Sequence, residues 1–264
     1  MAETVYLFRR RTRELEPDRF LEYCAHVELK GEIVQTDEAL VVRDTTRAMV
    51  YAQPCAKYAG QLFFTDQSIS WGEVIEKPTS GKQALDWSNK FLDEFGLRPR
   101  ASEDENQRLD FELSSFPSEA LVFDGRERKR VTAATNVQSQ IVLNDIPVVG
   151  PRGKVRLMFK SGRQPIMMQL GLWESLEVYE ERDLVSENDV ARAVQDRLLD
   201  REKCSEKFYD LKEIRLVYFT DEYRGGPDLM RPTYLVEVEY RDPYYQGREP
   251  IQGPRQVFPL PAYR

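Results

Sequence analysis

The stretch LNDIPVVGPRGKVRLMF, Leu143 to Phe159, interrupts a β-prone run with two prolines and two glycines. A phosphate-binding loop needs Gly-x-x-x-x-Gly-Lys-Ser/Thr between a strand and a helix. The segment GPRGKV has a different spacing and leads into more strand. We therefore read it as hairpin punctuation. Ile141, Leu143, Ile146 and Val148 are apolar strand residues. Gly150–Gly153 reads as a turn: Pro151 suits its second position and glycine tolerates positive φ. Val155, Leu157 and Phe159 then alternate with Lys154, Arg156, Met158 and Lys160, the pattern of a half-buried return strand.

Working outward, strand-like runs precede it at Leu109–Phe116, Ala120–Asp124 and Val131–Leu143, and follow it at Lys154–Lys160 and Ile166–Leu170. A helix is predicted over SENDVARAVQDRLLD, where Ser186 and Asp189 have capping spacing and Val190, Val194 and Leu198 form the buried stripe. The runs Ile214–Thr220, Thr233–Arg241 and Gln256–Leu260 close the chain. Nearer the N-terminus, EPDRFLEYCAHVELKG predicts a helix with Pro17 in its first turn and Gly31 just past its end. Strands at Ala39–Arg43, Ala48–Gln53 and Gln61–Thr65 come next. SGKQALDWSNKFLDEFGLRP predicts a second helix, with Ser80 and Gln83 as a capping box, Ala84, Trp87, Phe91 and Phe95 on one face, and Gly96 and Pro99 as the stop. A capped helix followed by antiparallel-type strands thus recurs three times. The expected class is α+β, with capped helices packed on curved antiparallel sheets. A domain seam is expected between about residues 98 and 118, where charge rises and the pattern lapses.

The segment IVLNDIPVVGPRGKVRLMFKSGRQPIMMQLGLWESL resembles the signature of PepSY, FTP and related cystatin-like domains. Asn144, Ile146, Pro147, Val148, Gly150, Gly153, Val155, Phe159, Gly162 and Trp173 stand where that signature has such residues. Asp145 replaces its usual glycine. The helix from Ser186 and the closing strands, down to Pro261 and Ala262, extend the resemblance over about residues 119–263. It implies cystatin-like repeats: an N-terminal helix-plus-strands subdomain over 1–100 and a PepSY/FTP-like domain over 101–264. It also implies a non-catalytic role as propeptide, inhibitor or regulatory binding module, with no catalytic residue to carry over.

Composition bounds the function. The 264 residues carry a net charge of −7, which argues against general nucleic-acid binding. No apolar run approaches the ~20 residues needed to span a bilayer, so no membrane partner is expected. The N-terminus lacks a signal-peptide core, so the expected compartment is the cytoplasm; a chain trimmed of an export signal would read the same way. Cys24, Cys55 and Cys204 are odd in number and widely spaced, which predicts reduced thiols rather than a disulfide framework. His26 is the single histidine. Lying two positions from Cys24 on a helix, it points elsewhere and reads as structural. No metal or cofactor is expected.

The acidic runs Glu103–Glu105 and Glu180–Asp183 read as solvated faces rather than acid–base pairs. The basic run RERKR, with Arg126, Arg128 and Arg130, is a candidate for docking an acidic partner or a phosphate, weighed against a solvated hairpin tip. Trp71, in a polar loop, suits a binding surface. The Pro/Gly-rich loop RDPYYQGREPIQGPR is long enough to be functional and presents Tyr244 and Tyr245. These features predict a non-catalytic peptide- or protein-binding or regulatory module using a sheet edge and an aromatic loop. The alternatives are an enzyme with a small-molecule pocket in a cystatin-like α+β cone, or a structural assembly component. Neither the partner nor the oligomeric state follows from sequence.

Overall fold

A computed structural model describes residues 4–53, 60–68, 77–100, 107–125, 127–150, 154–162, 164–171, 173–200, 209–220, 229–240 and 255–263. Among these, fourteen strands accompany three helices, and strand accounts for 59% against 18% helix. The expectation of a helix-capped, cystatin-like α+β fold is therefore corrected: the protein is dominated by sheet. Sequence reading missed strands at Thr4–Thr12, Ile33–Gln35 and Trp173–Asp183, the first and last because charged residues mask their alternation. The chain divides into two compact units, residues Met1–Arg9, Val178–Phe219 and Leu229–Arg264 in one, and Arg10–Glu177 and Thr220–Asp228 in the other. The expected boundary at residues 100 and 101 falls inside the second.

In the larger unit, β2 (Ile33–Gln35), β3 (Ala39–Arg43), β4 (Arg47–Ala52), β5 (Gln61–Asp66), β10 (Met167–Gly171), β9 (Val155–Phe159) and β7 (Glu127–Leu143) are neighbours in that order. β8 (Ile146–Val149) and β6 (Leu109–Asp124) also pair with β7. All these pairings are antiparallel. Helices α1 (Pro17–His26) and α2 (Gly81–Glu94) bury one face against the sheet. Phe20, Tyr23 and Cys24 of α1 and Ala84, Phe91 and Leu92 of α2 join Leu40, Met49, Leu62, Leu157, Phe159 and Leu170 in one core. Each large side chain fully buried there contributes about 1.5–3 kcal/mol.

The α2 start is as predicted. Ser80 Oγ accepts from the Gln83 N–H at 3.2 Å, and the Gln83 side chain accepts from the Ser80 N–H at 3.2 Å. Both helix ends close through a residue with positive φ: Gly96 at +60° after α2, and Glu28 at 56° after α1. In each, the next N–H returns to the last turn, Leu97 to Leu92 O at 2.8 Å and Leu29 to Cys24 O at 2.9 Å. Helix α1 thus ends earlier than predicted, on a non-glycine residue. Gly31 serves instead as a close approach, since a Cβ there would lie 2.7 Å from Arg43 O.

The opening stretch resolves into two devices. Leu143 faces Ile146 across a two-residue turn whose Asn144 and Asp145 have φ of 50° and 64°. Both being left-handed is the hairpin preference that favours Asn-Gly. Val142 faces Pro147, yet Gln138 faces Arg156. Four steps along β7 thus match nine along the returning chain, so the return strand makes an excursion between β8 and β9. Gly150, with φ +110°, begins it, and the Thr220 N–H donates to Val149 O there at 2.9 Å. Gly153 and Pro151 lie outside the described residues.

The smaller unit packs α3 (Glu187–Asp200) on β12 (Tyr209–Phe219), β13 (Leu229–Tyr240) and β14 (Arg255–Pro261). β13 pairs antiparallel with β12 and β14, and through Met230 and Leu229 with β1 (Thr4–Thr12). Val190 and Val194 of α3 meet Tyr234, Val236, Val238 and Phe258. The Ser186 hydroxyl caps α3 by accepting from the Asp189 N–H at 3.2 Å. β11 (Trp173–Asp183) contains Glu180–Asp183, so that acidic run is a largely exposed strand end.

Candidate partner-docking site

The longest paired elements of the larger unit are β6 and β7, sixteen and seventeen residues. They pair from Leu109 opposite Leu143 to Asp124 opposite Glu127. Beyond Thr135, the last β7 residue to meet β9, β7 pairs only with β6 among the described residues. The remainder is a two-stranded ribbon. β6 has no second strand partner among the described residues. Two features interrupt this edge: Pro117, which has no N–H to offer, and a register shift between Ser118 and Glu119 that leaves Ala133 unmatched. Both are devices that blunt an edge against indiscriminate pairing. Past them lies the segment Ala120–Asp124.

Opposed residues of an antiparallel pair share a face. Leu121 faces Arg130, Val122 faces Lys129 and Phe123 faces Arg128. Leu121 and Phe123 share one face with Arg128 and Arg130; Val122 and Lys129 lie on the other. Leu121 is 58% exposed and Phe123 67%. The Arg128 guanidinium lies over the Phe123 ring, 5.5 Å from its centre. Arg130 reaches the Glu119 carboxylate at 3.6 Å, with both side chains mostly in solvent, so the pair contributes little. Arg128, Lys129 and Arg130 are all exposed. The site is thus an apolar edge strand backed, residue for residue, by a row of cations. A turn opening on Gly125, φ +63°, closes its tip.

Of the residues singled out from sequence, Arg128 and Arg130 are brought together here, with Leu121 and Phe123, which sequence reading did not select. Arg126, Trp71, Tyr244, Tyr245, Cys55 and Cys204 lie outside the described residues. Trp173 is buried, and Trp87 stacks on Phe91 with ring centres 5.1 Å apart. Cys24 is buried against Met49, sulfur to sulfur 3.7 Å, and burial pushes its thiol up to about 12.

His26 sits in an aromatic pocket, its ring centre 5.2 Å from Trp87, 5.2 Å from Phe91 and 5.3 Å from Phe95. Desolvation holds its pKa below the ordinary value, against the pull of Glu94, whose Oε1 is 4.0 Å from Nδ1. A polar cleft of about 740 Å³ is lined by Glu14, Glu16, Asp37 and neighbours. An apolar hollow of about 270 Å³ lies on β4, β5 and β10 beside Val50, Phe63 and Met167. Among the described residues, His26 lines neither and no carboxylate lines the hollow. Among the described residues no helix is long and apolar enough to cross a membrane.

No family model matches the chain, and no curated protein matches it. Among solved structures it is similar to an uncharacterized protein from Eubacterium rectale, 10% identical, with 98% of this chain and 84% of that chain covered and a TM-score of 0.47. A likeness at that level carries no function across.

Proposed function

We propose that this chain is a non-catalytic peptide- or protein-binding module that docks its partner on the β6–β7 ribbon. The observation that carries the reading is the exposure of Leu121 and Phe123, adjacent on one face of an edge strand and flanked by Arg128 and Arg130. Bulky apolar side chains left in water together mark interaction surfaces rather than ordinary solvated strands. An unpaired strand edge supplies main-chain donors and acceptors for an extended partner, and the side chains beside it supply selectivity. Arg and aromatic residues are also the types that dominate binding energy at interfaces.

The reading is tested by placing a photo-crosslinking amino acid at position 122 in the intact chain, with position 30 as an exposed control. One stoichiometric partner captured at 122 and not at 30, and lost in the L121S/F123S variant, supports it. Equal capture at both positions, or capture that survives L121S/F123S, overturns it.

A further inference from the structure

The apolar edge of the ribbon does not stand alone. Each of Leu121, Val122 and Phe123 on β6 is paired with a cation on β7: Arg130, Lys129 and Arg128. The cations occur on both faces, so the pattern is independent of which way a partner's side chains point. No ion pair of Arg128 or Lys129 is formed with any described side chain, and Arg130 has only its long, exposed contact with Glu119. This local excess of positive charge belongs to a chain whose net charge is −7.

Resting on the docking reading above, we infer that the segment Ala120–Asp124 takes an extended, acidic and apolar segment of a partner protein as an added β-strand. The geometry sets the chemistry. A strand laid along β6 runs about 4.8 Å from it, and the β7 cations stand one further strand spacing behind. Short apolar side chains on one face of the incoming strand meet Val122. Its Glu side chains, on the other face, are long enough to reach past Leu121 and Phe123 toward Arg128 and Arg130, which are long themselves. Charge complementarity of this kind fixes register and rejects basic segments more than it adds raw affinity. Pro117 and the register shift at Ser118 limit the added strand to the outer part of β6.

The probe is a fluorescein-labelled acetyl-(Glu-Val)4 amide peptide, compared by fluorescence anisotropy with the (Lys-Val)4 peptide and with a (Glu-Val)4 peptide N-methylated at every valine. The expected result is binding of the acidic peptide at least tenfold tighter than the basic one, and loss on N-methylation. R128E/R130E should weaken the acidic peptide at least tenfold. R128Q/R130Q should weaken it less, and serves in place of the reversal if that variant fails to fold by circular dichroism. Equal binding of acidic and basic peptides would leave the edge reading standing and overturn the charge assignment. Unchanged binding of the N-methylated peptide would overturn strand addition. If no peptide binds while L121S/F123S still abolishes photo-capture, the docking reading stands and the acidic-strand inference is wrong. Concentration-dependent self-association that L121S/F123S abolishes would assign the edge to a second copy and overturn the inference.

Discussion

Arg128 and Phe123 face each other across the β6–β7 ribbon, the guanidinium 5.5 Å from the ring centre, while Phe123 stays 67% exposed. An exposed contact of this type is worth about 0.5–1 kcal/mol. The L121S/F123S variant should therefore unfold in urea within about 1 kcal/mol of the parent, because neither side chain is core. Destabilisation beyond about 3 kcal/mol would show that the two are buried in the folded chain.

Gly150 has φ +110°, and a Cβ placed on it would lie 2.3 Å from the Thr220 carbonyl oxygen. Backbone strain and the clash act together, so Gly150→Ala should cost on the order of 2 kcal/mol or more. Gly96 has φ +60° and nothing within 4 Å of the added Cβ. Gly96→Ala should cost less, about 1 kcal/mol, from conformation alone. Denaturant midpoints of the two variants check the order, and a reversed order would contradict it.

Glu28 closes α1 at φ 56°, the role that Gly96 plays after α2. A glycine relieves the left-handed strain at the cost of some unfolded-chain entropy, and the first effect prevails where a helix ends this way. Glu28→Gly should raise stability by about 0.5 kcal/mol. A loss of stability on thermal unfolding would mean that the Glu28 side chain contributes more than its strain.

His26 has its pKa lowered, first by desolvation among the aromatic rings, with Glu94 opposing and Lys90 adding to the shift. The unfolded imidazole, near 6.5, then binds its proton more readily than the folded one. The stability this provides is complete above pH 6.5 and is lost as pH falls through the lower folded value. The single imidazole should titrate below 6.5 by NMR. The fall in Tm between pH 7.5 and 5.5 should be smaller in His26→Gln than in the parent. A midpoint above 6.5 would mean that Glu94 outweighs burial.

What the sequence made legible was local. The Ser80–Gln83 box, the Gly96 stop and the Ser186 cap are set by residues three or four apart and were readable without the fold. Pro17 was legible for the same reason, whereas Gly31 misled because its constraint comes from Arg43, across the chain. Strand lengths were less legible. Pro117 reads as a break, yet β6 runs through it as an edge strand, where a missing N–H is tolerated. β1 was missed because its arginines mask the alternation, and the β10–β5 pairing joins segments about a hundred residues apart, which no short window reveals. The site was half legible. Arg128 and Arg130 stood out as charge, but Leu121 and Phe123 were read only as part of the strand-like run Ala120–Asp124. The signal was present in the Asp-Gly turn, since a strand whose hairpin partner is RERKR has no buried partner to pack against.

The most direct test of the docking account is hydrogen exchange of the amides of residues 120–124, followed in the free protein and with the photo-captured partner bound. Outward-facing amides of the unpaired β6 edge should exchange rapidly when free and become protected in the complex, because strand addition gives them main-chain acceptors. Protection that appears elsewhere while residues 120–124 exchange at their free rates would contradict the account.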